Sequence, residues 1–125
     1  MKPYYEQDGI TIYNADCREI LPSLPKVEAV VTDPPYGIKF KYESHDDTPE
    51  GYGEFIWSVI QMCELLCEQG SPIFVWQSVL NIQHFNTWFP RPWRMFIAAK
   101  NFVQMRPIVM QYAFDPILVW WAAAN

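Results

Sequence analysis

Cysteine, glycine and positive charge are all scarce in this sequence, and each scarcity excludes something. Only three cysteines are present, Cys17, Cys63 and Cys67. An odd number cannot form a closed disulfide framework, and Met1-Lys2-Pro3-Tyr4-Tyr5 runs into polar residues rather than an apolar signal segment. Free thiols in a reducing cytoplasm are the simplest reading. Cys63 and Cys67 stand at helical i, i+4 spacing, but His45 and His84 have no spacing that completes a metal site. Both thiols therefore read as core, and no metal is expected. No apolar run approaches the roughly 18 to 20 residues of a membrane-spanning helix, so no membrane partner is expected. Nine Lys and Arg stand against 14 Asp and Glu, for a formal net charge of −5. Nucleic-acid proteins usually carry a basic footprint. Here Arg91, Arg94, Lys100 and Arg106 are too sparse to make one. Only five glycines occur, and the closest pair, Gly51 and Gly53, precedes a helical pattern with no buried strand leading into it.

What is abundant is core material. Half of the 125 residues are apolar and 17% are aromatic, which suits one folded domain over 1–125 and excludes disorder. Asp8-Gly9 between the β-prone runs 4–6 and 10–13 predicts a hairpin. Asp16 is placed to cap a short helix over 18–24, which Pro22 and Pro25 limit. Residues 27–32, rich in valine, read as a buried strand. Residues 39–53 are polar and carry Pro49, Gly51 and Gly53, which predicts a mobile loop. Phe55, Ile56, Val59, Ile60, Cys63, Leu66 and Cys67 form one apolar stripe, predicting a helix over 54–69 stopped by Gly70. Strands are expected at 72–76, 93–100 and 116–121, with a weaker helix at 79–88 and a loop with Pro107 leading into the segment 108–112.

Strand, helix, strand, helix, strand is the order of a doubly wound, mostly parallel α/β sheet. Such sheets bind ligands beyond the carboxyl ends of their strands. Asp16, Asp33 and Gln77 each follow a predicted strand, which nominates them for one site.

Asp33-Pro34-Pro35-Tyr36-Gly37 ends the 27–32 strand abruptly. Two prolines stiffen the loop and remove two backbone donors, leaving carbonyls free to accept. Asp33 adds a side-chain acceptor and Tyr36 a flat aromatic face. Acceptors beside a stacking platform suit a planar base carrying an exocyclic NH2. Such an amine is a poor nucleophile, and hydrogen bonds accepted from it free its lone pair for attack on a methyl sulfonium. The plainer alternative is a strand-terminating turn, since Asp, Pro and Tyr all occur in turns.

These residues closely resemble the signature of the DNA amino-methyltransferases that modify adenine N6 or cytosine N4. The resemblance implies a Rossmann-like fold, S-adenosylmethionine as methyl donor, DNA as substrate, and a bacterial or phage-encoded source. It assigns Asp33, Pro34, Pro35 and Tyr36 to catalysis, with adenine favoured by aspartate at the first position. Residues 12–21 resemble the segment preceding the signature in many members. This implies cofactor contact by Asp16, with Cys17 beside it and Asp33 across the site. Residues 93–97 and 114–120 resemble later strands near the base pocket. The family's Phe-x-Gly-x-Gly cofactor loop has no counterpart here. The chain therefore reads as the first half of a permuted enzyme, leaving apolar edges for self-association or for a second chain that completes the cofactor site. An inactive remnant serving as a binding module is the main rival. RNA or protein amide methyltransferases are a third class, disfavoured because asparagine is commoner at their first signature position.

Of the remaining residues, Trp57 and Tyr52 could line the base pocket, but the simpler readings are helix core for Trp57 and loop surface for Tyr52. Lys39 and Lys41 could touch phosphates or simply be solvated. Glu43, Asp46, Asp47 and Glu50 read as a solvated, flexible segment.

Overall fold

A computed structural model describes residues 2–43, 45–89, 92–101 and 112–123. The Pro107 loop and the segment 108–112 lie, apart from Tyr112, outside the described residues. The chain opens with a hairpin of β1 (Tyr5–Gln7) and β2 (Ile10–Ile12), paired antiparallel. Its turn places Asp8 at φ 52° and Gly9 at φ 79°, the left-handed pair that matches the twist of a two-residue hairpin. Helix α1 (Cys17–Ile20) follows and runs into a 3-10 turn, Leu21–Ser23. The Asp16 carboxylate caps α1 by accepting from the Arg18 amide at 2.9 Å.

The main sheet has four strands in the order β3 (Val30–Thr32), β4 (Pro72–Trp76), β6 (Phe114–Trp121), β5 (Arg94–Ala99). β3 and β4 are parallel, whereas β6 runs antiparallel to both of its neighbours. The α/β layering is thus as expected, but the pairing is mixed rather than mostly parallel. The strand at 10–12 also belongs to its own small sheet, not to the main one. β3 is therefore an outer strand, and Val31 on it is 67% exposed.

Helix α2 (Tyr52–Leu66) covers one face of the sheet. Its Ile56, Val59, Ile60 and Cys63 pack with Ile73 and Val75 of β4 and Leu118 and Trp120 of β6. The Trp120 indole N–H donates to Glu64 of α2 at 3.0 Å, satisfying its one donor. A 3-10 segment, Val79–His84, and α3 (Phe85–Trp88) close the same core with Phe85 and Phe89. The other face, including Phe74 and Phe96 with ring centroids 6.4 Å apart, carries no helix among the described residues.

The helix stops earlier than Gly70 predicts. Cys67 turns extended because Val27 claims its neighbours: Val27 N–H donates to Leu66 O and Glu68 N–H donates to Val27 O, both at 3.0 Å. Cys63 and Cys67 are buried free thiols, and burial pushes Cys63 up to about 11. Among the described residues no group of three metal-binding side chains occurs. None of the described helices is long and apolar enough to cross a membrane.

Candidate active site

Because β3 and β4 are parallel neighbours, their carboxyl ends share one edge of the sheet. Asp33 follows the last residue of β3, and Gln77 the last residue of β4. β6 begins at this same edge, where Gln77 N–H donates to Pro116 O at 3.0 Å. The Asp33-Pro34-Pro35-Tyr36 segment lies here with a graded burial: Asp33 exposed, Pro34 buried, Pro35 and Tyr36 half-buried. The acceptor thus faces solvent while the loop behind it is embedded.

The Tyr36 hydroxyl donates to Asp33 Oδ1 at 2.5 Å, and among the described residues Oδ2 accepts no hydrogen bond. Tyr36 is raised well above the usual phenol range, first by desolvation, then by its bond to Asp33 and by the nearby charges of Asp33 and Asp115. The phenol therefore stays protonated and remains a donor. Asp115, on β6, pairs with Lys100 at 2.7 Å. Its charge reaches Tyr36, and it lies in the 114–120 segment that the family resemblance sets near the base pocket.

Beneath the loop lies a buried polar group of three side chains. The Tyr52 hydroxyl is within hydrogen-bond distance of both ends of the Gln77 amide, 3.2 Å from Oε1 and 2.9 Å from Nε2. Asn81 Nδ2 donates to the Tyr36 carbonyl at 2.8 Å and approaches Gln77 Oε1 at 3.4 Å. Tyr52, read from sequence as loop surface, is only 4% exposed. Desolvation raises its phenol above the ordinary range. Its ring also explains Gly37, where an added Cβ would stand 2.7 Å from Tyr52 Cγ. With φ at +67°, Gly37 is required by both conformation and space.

The expected mobile loop is anchored in its middle. Asp47, read as a solvated acid, is 3% exposed, and its carboxylate accepts from the Gly37, Ile38 and Phe40 amides. A small cavity of about 340 Å³ beside it is lined by Lys39, Phe40, Lys41, Tyr42 and His45, among others.

Asp16 does not follow a strand of the main sheet, so it lacks the placement that Asp33 and Gln77 share. Its carboxylate binds Arg18, with Nε at 2.9 and 3.1 Å and Nη2 at 2.5 Å. Arg18 holds it well below the usual carboxylate range, at about 2. Cys17 beside it is exposed. For a cofactor, Asp16 and Asp33 offer carboxylates, but the glycine pair offers no cradle. A Cβ on Gly53 would meet Trp88 Nε1 at 2.6 Å, so that glycine serves packing.

A parallel strand pair with its carboxyl-end loops at one sheet edge, in a mixed sheet covered by α2, defines a class of fold, a partial Rossmann-like α/β sheet. A crystal structure of the M1.HpyAVI–SAM complex superposes with a TM-score of 0.53 at 20% identity, over 89% of this chain and 54% of that one. In sequence, the Type II methyltransferase M.BamHI of Bacillus amyloliquefaciens is 27% identical over 93 residues, 70% of this chain and 21% of that protein. The Type II methyltransferase M.ScaI of Streptomyces caespitosus is 43% identical over 44 residues, 34% of this chain and 14% of that protein. No family model matches. In sequence the chain is similar to Type II DNA methyltransferases and in fold to a SAM-bound one, and it spans about a fifth or less of the length of these two curated relatives.

Proposed function

We propose that this chain forms the base-holding part of a DNA amino-methyltransferase site, acting on the exocyclic amine of a flipped base, adenine N6 before cytosine N4. The observation that carries the reading is the Asp33–Tyr36 pair at the carboxyl edge of β3, with one carboxylate oxygen accepting no hydrogen bond among the described residues and the loop braced from beneath. Asp33 accepts from the amine, the Pro34 carbonyl accepts its second hydrogen, and the Tyr36 ring stacks on the base; Pro35 stiffens the loop between them. Each accepted bond raises the nucleophilicity of the amine nitrogen and fixes its direction. S-adenosylmethionine, when bound, supplies the electrophilic methyl group. Asp16 is proposed for its adenosine end, where it would exchange its bonds to Arg18 for bonds to the ligand, with Cys17 beside it. The methionine end is proposed to be held by a second chain or a further protein segment, because Trp88 packs against Gly53, and Gly51 caps α2 rather than following a strand of the main sheet.

The experiment is transfer of labelled methyl from S-adenosylmethionine to mixed-sequence DNA, comparing this chain with Asp33→Ala after circular dichroism has established that both are folded. Label in adenine that is absent with the variant is the expected result. Label in cytosine reassigns the base. No transfer from the folded chain removes catalysis by this polypeptide alone. A second reading, a methyltransferase-fold binding module without activity, is favoured by the missing glycine cradle and the net charge of −5. DNA binding without transfer would support it.

A further inference from the structure

Four consecutive amides beyond the Asp-Pro-Pro-Tyr segment all donate to one residue. Gly37 N–H reaches Asp47 Oδ1 at 2.6 Å, and Ile38 and Phe40 N–H reach Oδ2 at 3.1 and 3.0 Å. The intervening Lys39 N–H donates to the Asp47 carbonyl at 2.6 Å. Gly37 and Lys39 are both left-handed, at φ 67° and 63°. That alternation turns successive amides toward a common centre, forming an anion nest. Lysine rarely adopts this conformation, so the contacts must hold it there. Asp47 fills the nest as an internal anion and is almost wholly shielded from water.

The clamp begins one peptide bond beyond Tyr36, whose hydroxyl holds Asp33. Asn81 grips the Tyr36 carbonyl from the other side. Asp47 and Asn81 together hold the Tyr36–Gly37 peptide against the fold, which fixes where the Tyr36 backbone, and with it the phenol, sits relative to the end of β3 that carries Asp33.

We infer that Asp47 is a positioning residue: its carboxylate fixes the Gly37–Phe40 turn, and through it the Tyr36–Asp33 pair, in the geometry that receives the target amine. The inference rests on the amino-methyltransferase reading for its functional half. Only a carboxylate suits the role. It is acceptor-only, and its two oxygens take three N–H donors. Asparagine offers one oxygen and turns an NH2 toward an amide that already donates.

The test is Asp47→Asn in the full chain, with three readouts. Amide exchange by NMR follows Gly37, Ile38 and Phe40, with Val75 and Leu118 as references in the sheet. The Asp33 13Cγ and Tyr36 13Cζ resonances report the hydroxyl–carboxylate bond. Methyl transfer reports kcat separately from KM for S-adenosylmethionine. The expected result is loss of protection at the three amides with the sheet unchanged, and shifted Asp33 and Tyr36 resonances. With these goes a fall in kcat of about a hundredfold, as misplacement of a reacting group by an ångström produces, at nearly constant KM. Unchanged Asp33 and Tyr36 resonances overturn the inference, as does unchanged kcat. Global unfolding of the variant overturns it too, because Asp47 would then serve the whole fold. If the parent transfers no methyl, the functional reading fails by itself, and the exchange and resonance data still decide whether Asp47 positions the pair.

Discussion

The Tyr36 hydroxyl donates to Asp33 Oδ1 at 2.5 Å, so the proposed stacking face and the proposed acceptor of the loop are one hydrogen-bonded unit. The bond spans three residues across two prolines, whose fixed φ angles shape the loop that brings the groups together. Tyr36→Phe keeps the stacking face but frees the carboxylate to rotate. Transfer should fall by about tenfold, the scale of one hydrogen bond near 1.4 kcal/mol, whereas Asp33→Ala should cost about a hundredfold or more. Side-by-side methyl-transfer kinetics on the two variants check the order.

Gly37 and Gly51 are both left-handed, at φ 67° and 74°, but only Gly37 has a neighbour in the way. Gly51→Ala should cost about 1 kcal/mol, from conformation alone. Gly37→Ala adds a clash with the Tyr52 ring and should cost about 3 kcal/mol or more. Urea denaturation of the two variants measures the difference.

Tyr52 and Gln77 form a buried pair of polar groups, and Gln77 is fully buried. Removing one partner leaves the other under-satisfied, so Tyr52→Phe and Gln77→Leu should each destabilise by about 1–3 kcal/mol. The double variant removes the mismatch and should cost less than the two single losses added together. Thermal unfolding of all three variants completes the cycle.

Arg18 depresses Asp16 from 3.8 to about 2. A carboxylate lowered in the folded state adds stability that is complete above about pH 4 and disappears as the pH falls through 2. Both groups lie at the surface, so salt screens the pair. NMR titration of Asp16 should give a midpoint near 2, and Arg18→Ala should return it toward 3.8.

The three thiols should divide by accessibility. Cys17 is exposed, while Cys63 and Cys67 are buried and raised by desolvation. A thiol reagent at pH 8 should modify one cysteine quickly and the other two only on unfolding. A thiol count before and after adding denaturant checks this.

Several elements were legible before any coordinates. Asp8-Gly9 carried the hairpin, the stripe from Phe55 to Leu66 carried α2, and Pro72 marked the start of β4. Asp16 was legible as a cap because capping is satisfied within two residues. Other positions were misread. Tyr52 lies in a polar stretch, yet Gly37 leaves a space that its ring fills. Asp47 sits in an acidic run, yet it is the one acid there placed to meet the amides of residues 37–40. Trp121 closes the apolar run of β6, yet it is half exposed.

The sequence by itself determined where strands and helices form, where the Asp-Pro-Pro-Tyr loop falls, and that it follows a strand. Those features rest on periodicity, turn chemistry and proline stereochemistry, which act over a few residues. Only the tertiary structure decided that β2 stands outside the main sheet, that β6 runs antiparallel between β4 and β5, and that Asp33 and Gln77 share an edge. Tertiary structure also decided which polar groups go inside. Asn81 reaches the Tyr36 carbonyl across 45 positions, and Gln77 reaches Tyr52 across 25. Such pairings depend on how the backbone is brought together in space, and a buried donor must find whichever acceptor that packing supplies.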